Sequence, residues 1–271
     1  MWQRADETSP IPAGRAGGLF VVAIDFAPGA GETLAAPLAE ALGNSLYEAR
    51  ARLSGAEGGP AVVASYGEIE PAWACAGRLR ANGFSPLLVT PDDVESDASR
   101  FLVRSFTLGG QSLAVESRRG QTAEVPYAEV DLMLRGVRID ERTETKTTEE
   151  RKFSPGRALL SGGLLLSKTT RKTEQIAIME RYDFLHLYSA GRPPLVFRSN
   201  SLNYQSLGSA LQPSTAANFA VLAERLRPTL SPRARYDDRL TNRAVRARIL
   251  GPSLTENHLD FAISLLARVL R

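Results

Sequence analysis

The sequence predicts an α+β chain: a compact α/β module, then an antiparallel β domain closed by a helix, then helices at the C-terminal end. Three observations carry this reading. Residues 19–89 alternate β-rich runs with amphipathic ones in the order strand, helix, helix, strand, helix, strand. Between 101 and 199 the runs are extended and separated by Gly-containing turns. From Ser214 onward, apolar residues return at helical spacing.

Within the first module, Leu19 to Phe26 (LFVVAIDF) has the dense β-branched and aromatic content of a buried strand. After Pro28-Gly29-Ala30-Gly31, Leu34, Leu38 and Leu42 mark a helix, with Thr33 as its expected N-cap and Gly43-Asn44 as its stop. Ser45-Leu46-Tyr47-Glu48 has the capping-box pattern, in which the Ser hydroxyl serves the Glu48 N–H and the Glu reaches back. Leu46, Ala49 and Leu53 follow as the apolar stripe. Ala61 to Ser65 is the second strand. Pro71 opens a helix whose Ala72, Cys75, Ala76 and Leu79 share a face, ended by Asn82-Gly83. Phe84 to Val89 is the third strand.

This element order resembles that of the C-terminal domain of ribosomal protein L7/L12, best at Ala41–Leu53 (ALGNSLYEARARL) and at Arg80-Ala81-Asn82-Gly83. The likeness covers about a quarter of the chain and rests on small and apolar positions. In that family, basic residues on the two-helix face recruit translational GTPases; here the face carries Glu40, Tyr47, Glu48, Arg50 and Arg52. The resemblance implies a fold and a habit of binding proteins through helices.

Thr90 to Arg100 (TPDDVESDASR) reads as a polar linker. Strands are then expected at Phe101–Leu108, Leu113–Ser117 and Val125–Ile139, the last with a bulge or bend at Gly136. Tyr182–Tyr188 and Leu195–Ser199 make a hairpin about Ala190-Gly191-Arg192. A helix starting at Ser214 or Thr215 presents Asn218, Phe219, Leu222 and Leu226 until Pro228. Antiparallel strands closed by one amphipathic helix are similar in order to a pleckstrin-homology-like barrel. That resemblance implies a docking surface for peptides, proteins or lipid head groups, without choosing among them. The expected layout is therefore a flexible 1–18, a module at 19–90, a β domain at 101–228 with an insertion at 140–175, and a helical extension at 229–271.

The insertion stands apart in composition. The chain has only four lysines, Lys146, Lys152, Lys168 and Lys172, and all lie within it. Its flanks are Thr-rich with mixed charge, and its centre holds Leu159, Leu160, Leu164, Leu165 and Leu166. One reading is a long loop or β-extension whose leucines pack locally. The other is an arm whose exposed leucines enter a partner. Glu144, Glu149, Glu150 and Glu174 oppose an anionic membrane, so a protein partner is the better expectation.

Arg233, Arg235, Arg239, Arg243, Arg246 and Arg248 crowd the next segment. If 238–249 is helical, Arg239, Arg243 and Arg246 share a face. A solvated surface helix with Asp237 and Asp238 at its N-terminus accounts for them. The alternative is a nucleic-acid or anion-binding site, for which no interleaved aromatic residues argue. Thr255 then caps a last helix with Leu259, Ile263, Leu266 and Leu270 in a stripe that either packs within the chain or pairs with a second copy.

Charge sets wider limits. Thirty-three basic residues against 30 acidic ones give a net charge of +3, too small to imply a nucleic-acid partner. A single cysteine, Cys75, excludes a disulfide framework and a multi-Cys zinc site, and suits a reducing, cytoplasmic setting. No apolar run reaches the roughly 18 residues of a membrane span, and 1–18 lacks the apolar centre of a signal peptide. The two histidines are poorly placed for catalysis. His186 lies mid-strand, and His258 sits beside Glu256 and Asp260 in a spacing that matches no usual ligand set. No catalytic, cofactor or metal site is expected. The sequence points to a non-catalytic adaptor or scaffold that binds proteins through its β domain, the 140–175 arm and the C-terminal helices.

Overall fold

The computed structural model describes residues 18–54, 58–153 and 167–271; within 141–153 and 167–178 it describes the backbone course alone. The chain divides into two compact units. One takes the chain up to Arg138 together with Tyr182–Arg271, and the other is Ile139–Arg181.

The first unit begins with β1 (Phe20–Ile24), α1 (Gly31–Leu42), α2 (Leu46–Leu53), β2 (Ala61–Tyr66), α3 (Ile69–Ala81) and β3 (Pro86–Val89). β1 lies between β2 and β3 and runs antiparallel to both. Successive strand residues point to opposite faces. Phe20, Val22 and Ile24 accordingly join Leu38, Ala49, Cys75 and Leu79 in one core. Val21 and Ala23 join a second core on the other side. Burial on both faces explains why β1 reads as an unbroken apolar run.

The helix ends follow local chemistry. Ser45 and Glu48 form the expected capping box, with Glu48 N donating to Ser45 Oγ over 3.2 Å and Ser45 N donating to Glu48 Oε2 over 2.9 Å. Gly43 ends α1 at φ 67°, in the left-handed region where a Cβ is costly. Thr33 is not the N-cap of α1. That position belongs to Ala30, and Thr33 Oγ1 donates to the Ala30 carbonyl over 2.9 Å.

The segment 90–100 is packed rather than free. Pro91–Asp93 makes one tight turn, Glu95 N donates to Ser264 Oγ over 3.0 Å, and Arg100 is buried.

The second sheet contains β4 (Phe101–Leu108), β5 (Ser112–Ser117), β6 (Thr122–Pro126), β7 (Val130–Phe153), β8 (Ser167–Ser189), β9 (Leu195–Arg198) and β10 (Arg235–Leu240). Their order is β10-β7-β8-β9-β4-β5-β6. The expected all-antiparallel arrangement does not hold: β4 pairs with β9, and β10 with β7, in parallel. Hairpins were legible in the turns, but parallel partners meet only through long crossovers, which leave no local signature. The described strands leave β10 and β6 as edges, so no closed barrel is found among them.

Among the described residues this unit is completed by α4 (Thr215–Leu226), α5 (Arg243–Leu250) and α6 (Leu259–Leu270). α4 lies on one face of the sheet, where Phe219, Leu222 and Leu226 meet Phe106, Met133, Leu185 and Phe197. On the other face, Leu132, Leu134, Phe184 and Tyr188 meet Ile263 and Leu266 of α6. The same core reaches Val21, Val62 and Val89 of the first sheet. α6 therefore lies between two sheets, and its apolar stripe is taken up inside the chain instead of facing a second copy. No helix among the described residues is long and apolar enough to cross a membrane.

Gly136 is required by a close approach. A Cβ there would stand 2.2 Å from Phe184 Cζ and 2.8 Å from Leu240 Cβ. It pairs with Leu240 where the β10 register shifts, so the irregularity anticipated at Gly136 belongs to this ladder.

The second unit consists, in its described part, of Ile139–Phe153 of β7 and Ser167–Arg181 of β8. At about 3.3 Å per residue, each of those stretches is about 50 Å long.

Candidate functional site

The densest chemistry in the first unit centres on Arg100. Its side chain is 1% exposed and has three carboxylates around it. Nη1 donates to Asp260 Oδ1 at the start of α6 over 2.7 Å, and Nε donates to Glu95 Oε2 over 3.4 Å. Asp97 Oδ1 lies 3.7 Å from Nη1 and is paired directly with Arg198. Arg138 meets Asp260 from β7 over 2.6 Å. Burial works to raise the Asp260 pKa, but the bonds and charges of Arg138 and Arg100 outweigh it and hold the carboxyl below its ordinary value.

His186 and Tyr188 face this cluster from β8, on the same side as Phe184. Tyr188 Oη donates to Glu95 Oε2 over 3.0 Å and lies 3.3 Å from His186 Nδ1. Burial, reinforced by Arg100, Arg138 and Arg198, pushes the His186 pKa well below the usual imidazole value. Burial and the Glu95 charge push the Tyr188 hydroxyl well above its own. A neutral imidazole and a protonated phenol are therefore the forms held near neutrality. In these states the cluster ties the 90–100 segment, β7, β8, β9 and α6 together.

Beside it, a cleft of about 330 Å³ opens between Asp97–Leu102 and the β5–β6 turn. That turn is tightly specified. Ser117 Oγ accepts from Arg119 N over 3.2 Å and from Gln121 N over 3.1 Å, and Gly120 sits at φ 74°. Arg118 and Arg119 are exposed and line the cleft.

The residues singled out in the sequence fall in different places. Leu159, Leu160, Leu164, Leu165 and Leu166 lie outside the described residues. Arg239, Arg243 and Arg246 do not share an exposed helical face, because Arg239 lies on β10 and the helix begins at Arg243. Arg239 binds Asp237 and the Gly59 carbonyl. Arg246 is buried and donates to the Val137 and Leu240 carbonyls and to Glu256. Arg243 is the exposed one, 3.4 Å from Glu256.

Glu256, His258 and Asp260 do not converge. His258 Nδ1 takes the Thr255 N–H over 3.2 Å, while both carboxylates are engaged with arginines. No group of metal-ligating side chains is found among the described residues.

Reading the sequence missed Arg100, Glu95 and Asp97 because they lie in what reads as a linker. The available signal was an arginine abutting a β-rich run directly after four acidic residues. Comparison of the chain with family models, with curated proteins and with solved structures gives no match.

Proposed function

We propose that the chain is a non-catalytic adaptor that docks protein partners through its β domain and the 140–175 arm. One observation carries the reading: β7 and β8 run for 24 and 23 residues, while every other strand among the described residues has eight or fewer. The added length forms a compact unit of its own. Its sequence is Thr-rich and mixed in charge, without the one-faced apolar alternation of a core strand. Charged residues on such strands discourage indiscriminate edge pairing, which leaves recognition to a specific partner. The module with α1–α3, and strands followed by α4, support the L7/L12-like and pleckstrin-homology-like readings, in both of which docking is the common theme. The single cysteine supports a reducing, cytoplasmic setting.

The test is photo-crosslinking from Leu160 and Leu165 with benzoylphenylalanine, followed by binding of the trapped protein, purified, to the full chain. A chain in which 141–174 is replaced by Asn-Gly is expected to lose that binding while keeping its thermal midpoint. Equal binding by both chains would sink the proposal.

A further inference from the structure

The cleft beside Arg100 has a charge balance that the ion pairs around it leave unsatisfied. Among its lining residues, Arg100, Arg118 and Arg119 are positive and Asp97 alone is negative. Asp97 is already spent on Arg198 and Arg100. Among the described residues, neither Arg118 nor Arg119 has an acidic partner. Arg100 is neutralised by Glu95 and Asp260, which lie outside the cleft lining, yet its buried Nη2 has no hydrogen-bond partner. Low-dielectric walls beside unpaired guanidinium groups concentrate positive potential. The hydrogen-bonded turn at Ser117–Gln121 holds the Arg118 and Arg119 backbone in place before any ligand arrives, which lowers the ordering cost of binding.

The lining also says what kind of anion fits. Ala98, Phe101, Leu102 and Pro193 share the cleft with the arginines, so an occupant offers both carboxylates and apolar surface. Guanidinium groups suit carboxylates through paired N–H donors. We propose that this cleft binds an acidic, partly apolar peptide segment of a protein partner, with carboxylates on Arg118 and Arg119 and an apolar side chain against Leu102 and Pro193. The inference rests on the adaptor reading and names a docking point on the β domain, separate from the arm.

The experiment uses the purified full chain and a fluorescein-labelled decapeptide of alternating Glu and Leu, followed by anisotropy. Replacing both residues (Arg118→Ala with Arg119→Ala) is expected to weaken binding by about tenfold or more, since each removes a charge-assisted pair. Both side chains are exposed, so the thermal midpoint should hold. The matched control is Arg233→Ala with Arg235→Ala, two exposed arginines outside the cleft, which should bind like the parent. No binding, equal loss in both double variants, or tighter cleft-dependent binding of a labelled RNA decamer would each overturn the proposal. The assay contains no other protein, so its outcome is independent of the arm-deletion result.

Discussion

Arg100 Nη1 donates to Asp260 Oδ1 over 2.7 Å, joining positions 160 residues apart. Arg100 immediately precedes β4 and Asp260 lies in the first turn of α6, so this bond fixes the start of the second sheet to the helix between the sheets. Removing the carboxylate takes the nearest acid from a buried guanidinium and one ion-pair partner from Arg138. Asp260→Ala is expected to destabilise the fold by about 2–4 kcal/mol, less than a fully buried pair because Asp260 is partly exposed. Urea unfolding at neutral pH measures it. A loss below about 1 kcal/mol would mean that Glu95 and Asp97 suffice for Arg100.

His186 gives the fold a defined acid sensitivity. Its pKa is held well below 6.5 when folded, first by burial and then by Arg100, Arg138 and Arg198. Below the unfolded pKa, the unfolded chain binds a proton that the native imidazole refuses. Stability from this residue is thus present above about pH 6.5 and falls by about 1.4 kcal/mol per pH unit beneath it. Asp260, whose folded pKa is lowered, loses its contribution only as the pH drops through the carboxylate range. His186→Gln should therefore flatten the urea midpoint between about pH 6.5 and pH 5 and leave the steeper acid limb. An unchanged slope would assign the sensitivity elsewhere.

How much of this was legible depended on distance along the chain. The Ser45–Glu48 box, the Gly43 and Gly83 stops, and the strand at Phe20–Ile24 are written in neighbouring residues and appear where expected. Arg239 and Arg246 were misplaced because Asp237-Asp238 looks like a helix start, whereas pairing with Leu132–Leu134 makes 235–240 a strand. Parallel partnership with β7 outweighs local propensity there, as tertiary context commonly does. Beyond the arginine and the acidic residues before it, the Arg100 cluster leaves no local trace, because Glu95, Tyr188 and Asp260 meet only after both sheets are assembled.

Gly136 offers a direct test of how tightly the second sheet is packed. In Gly136→Ala the new methyl would meet Phe184 Cζ at 2.2 Å and Leu240 Cβ at 2.8 Å. Phe184 is buried and cannot swing away without opening a void. The substitution should cost about 1–3 kcal/mol. Combining it with Phe184→Leu, which removes the clashing ring edge, should make the pair less damaging than the sum of the two single changes. Simple additivity in urea melts would show that the contact is not the cause.

The position of α6 predicts how the first unit unfolds. Leu266 is fully buried in a core that includes Val21 and Val62 from one sheet and Leu132 and Leu134 from the other. A helix shared in this way couples the two sheets, so neither keeps its apolar face covered once the helix leaves. Leu266→Ala should cost about 2–5 kcal/mol. In a Trp2→Phe background, the fluorescence of Trp73 reports α3 alone, while far-UV circular dichroism reports the whole chain. The two transitions should move together and coincide, as a single cooperative unit requires. If the Trp73 transition stays in place while the dichroism transition shifts, the β1–β3 module is stable without α6 and the coupling through this core is negligible.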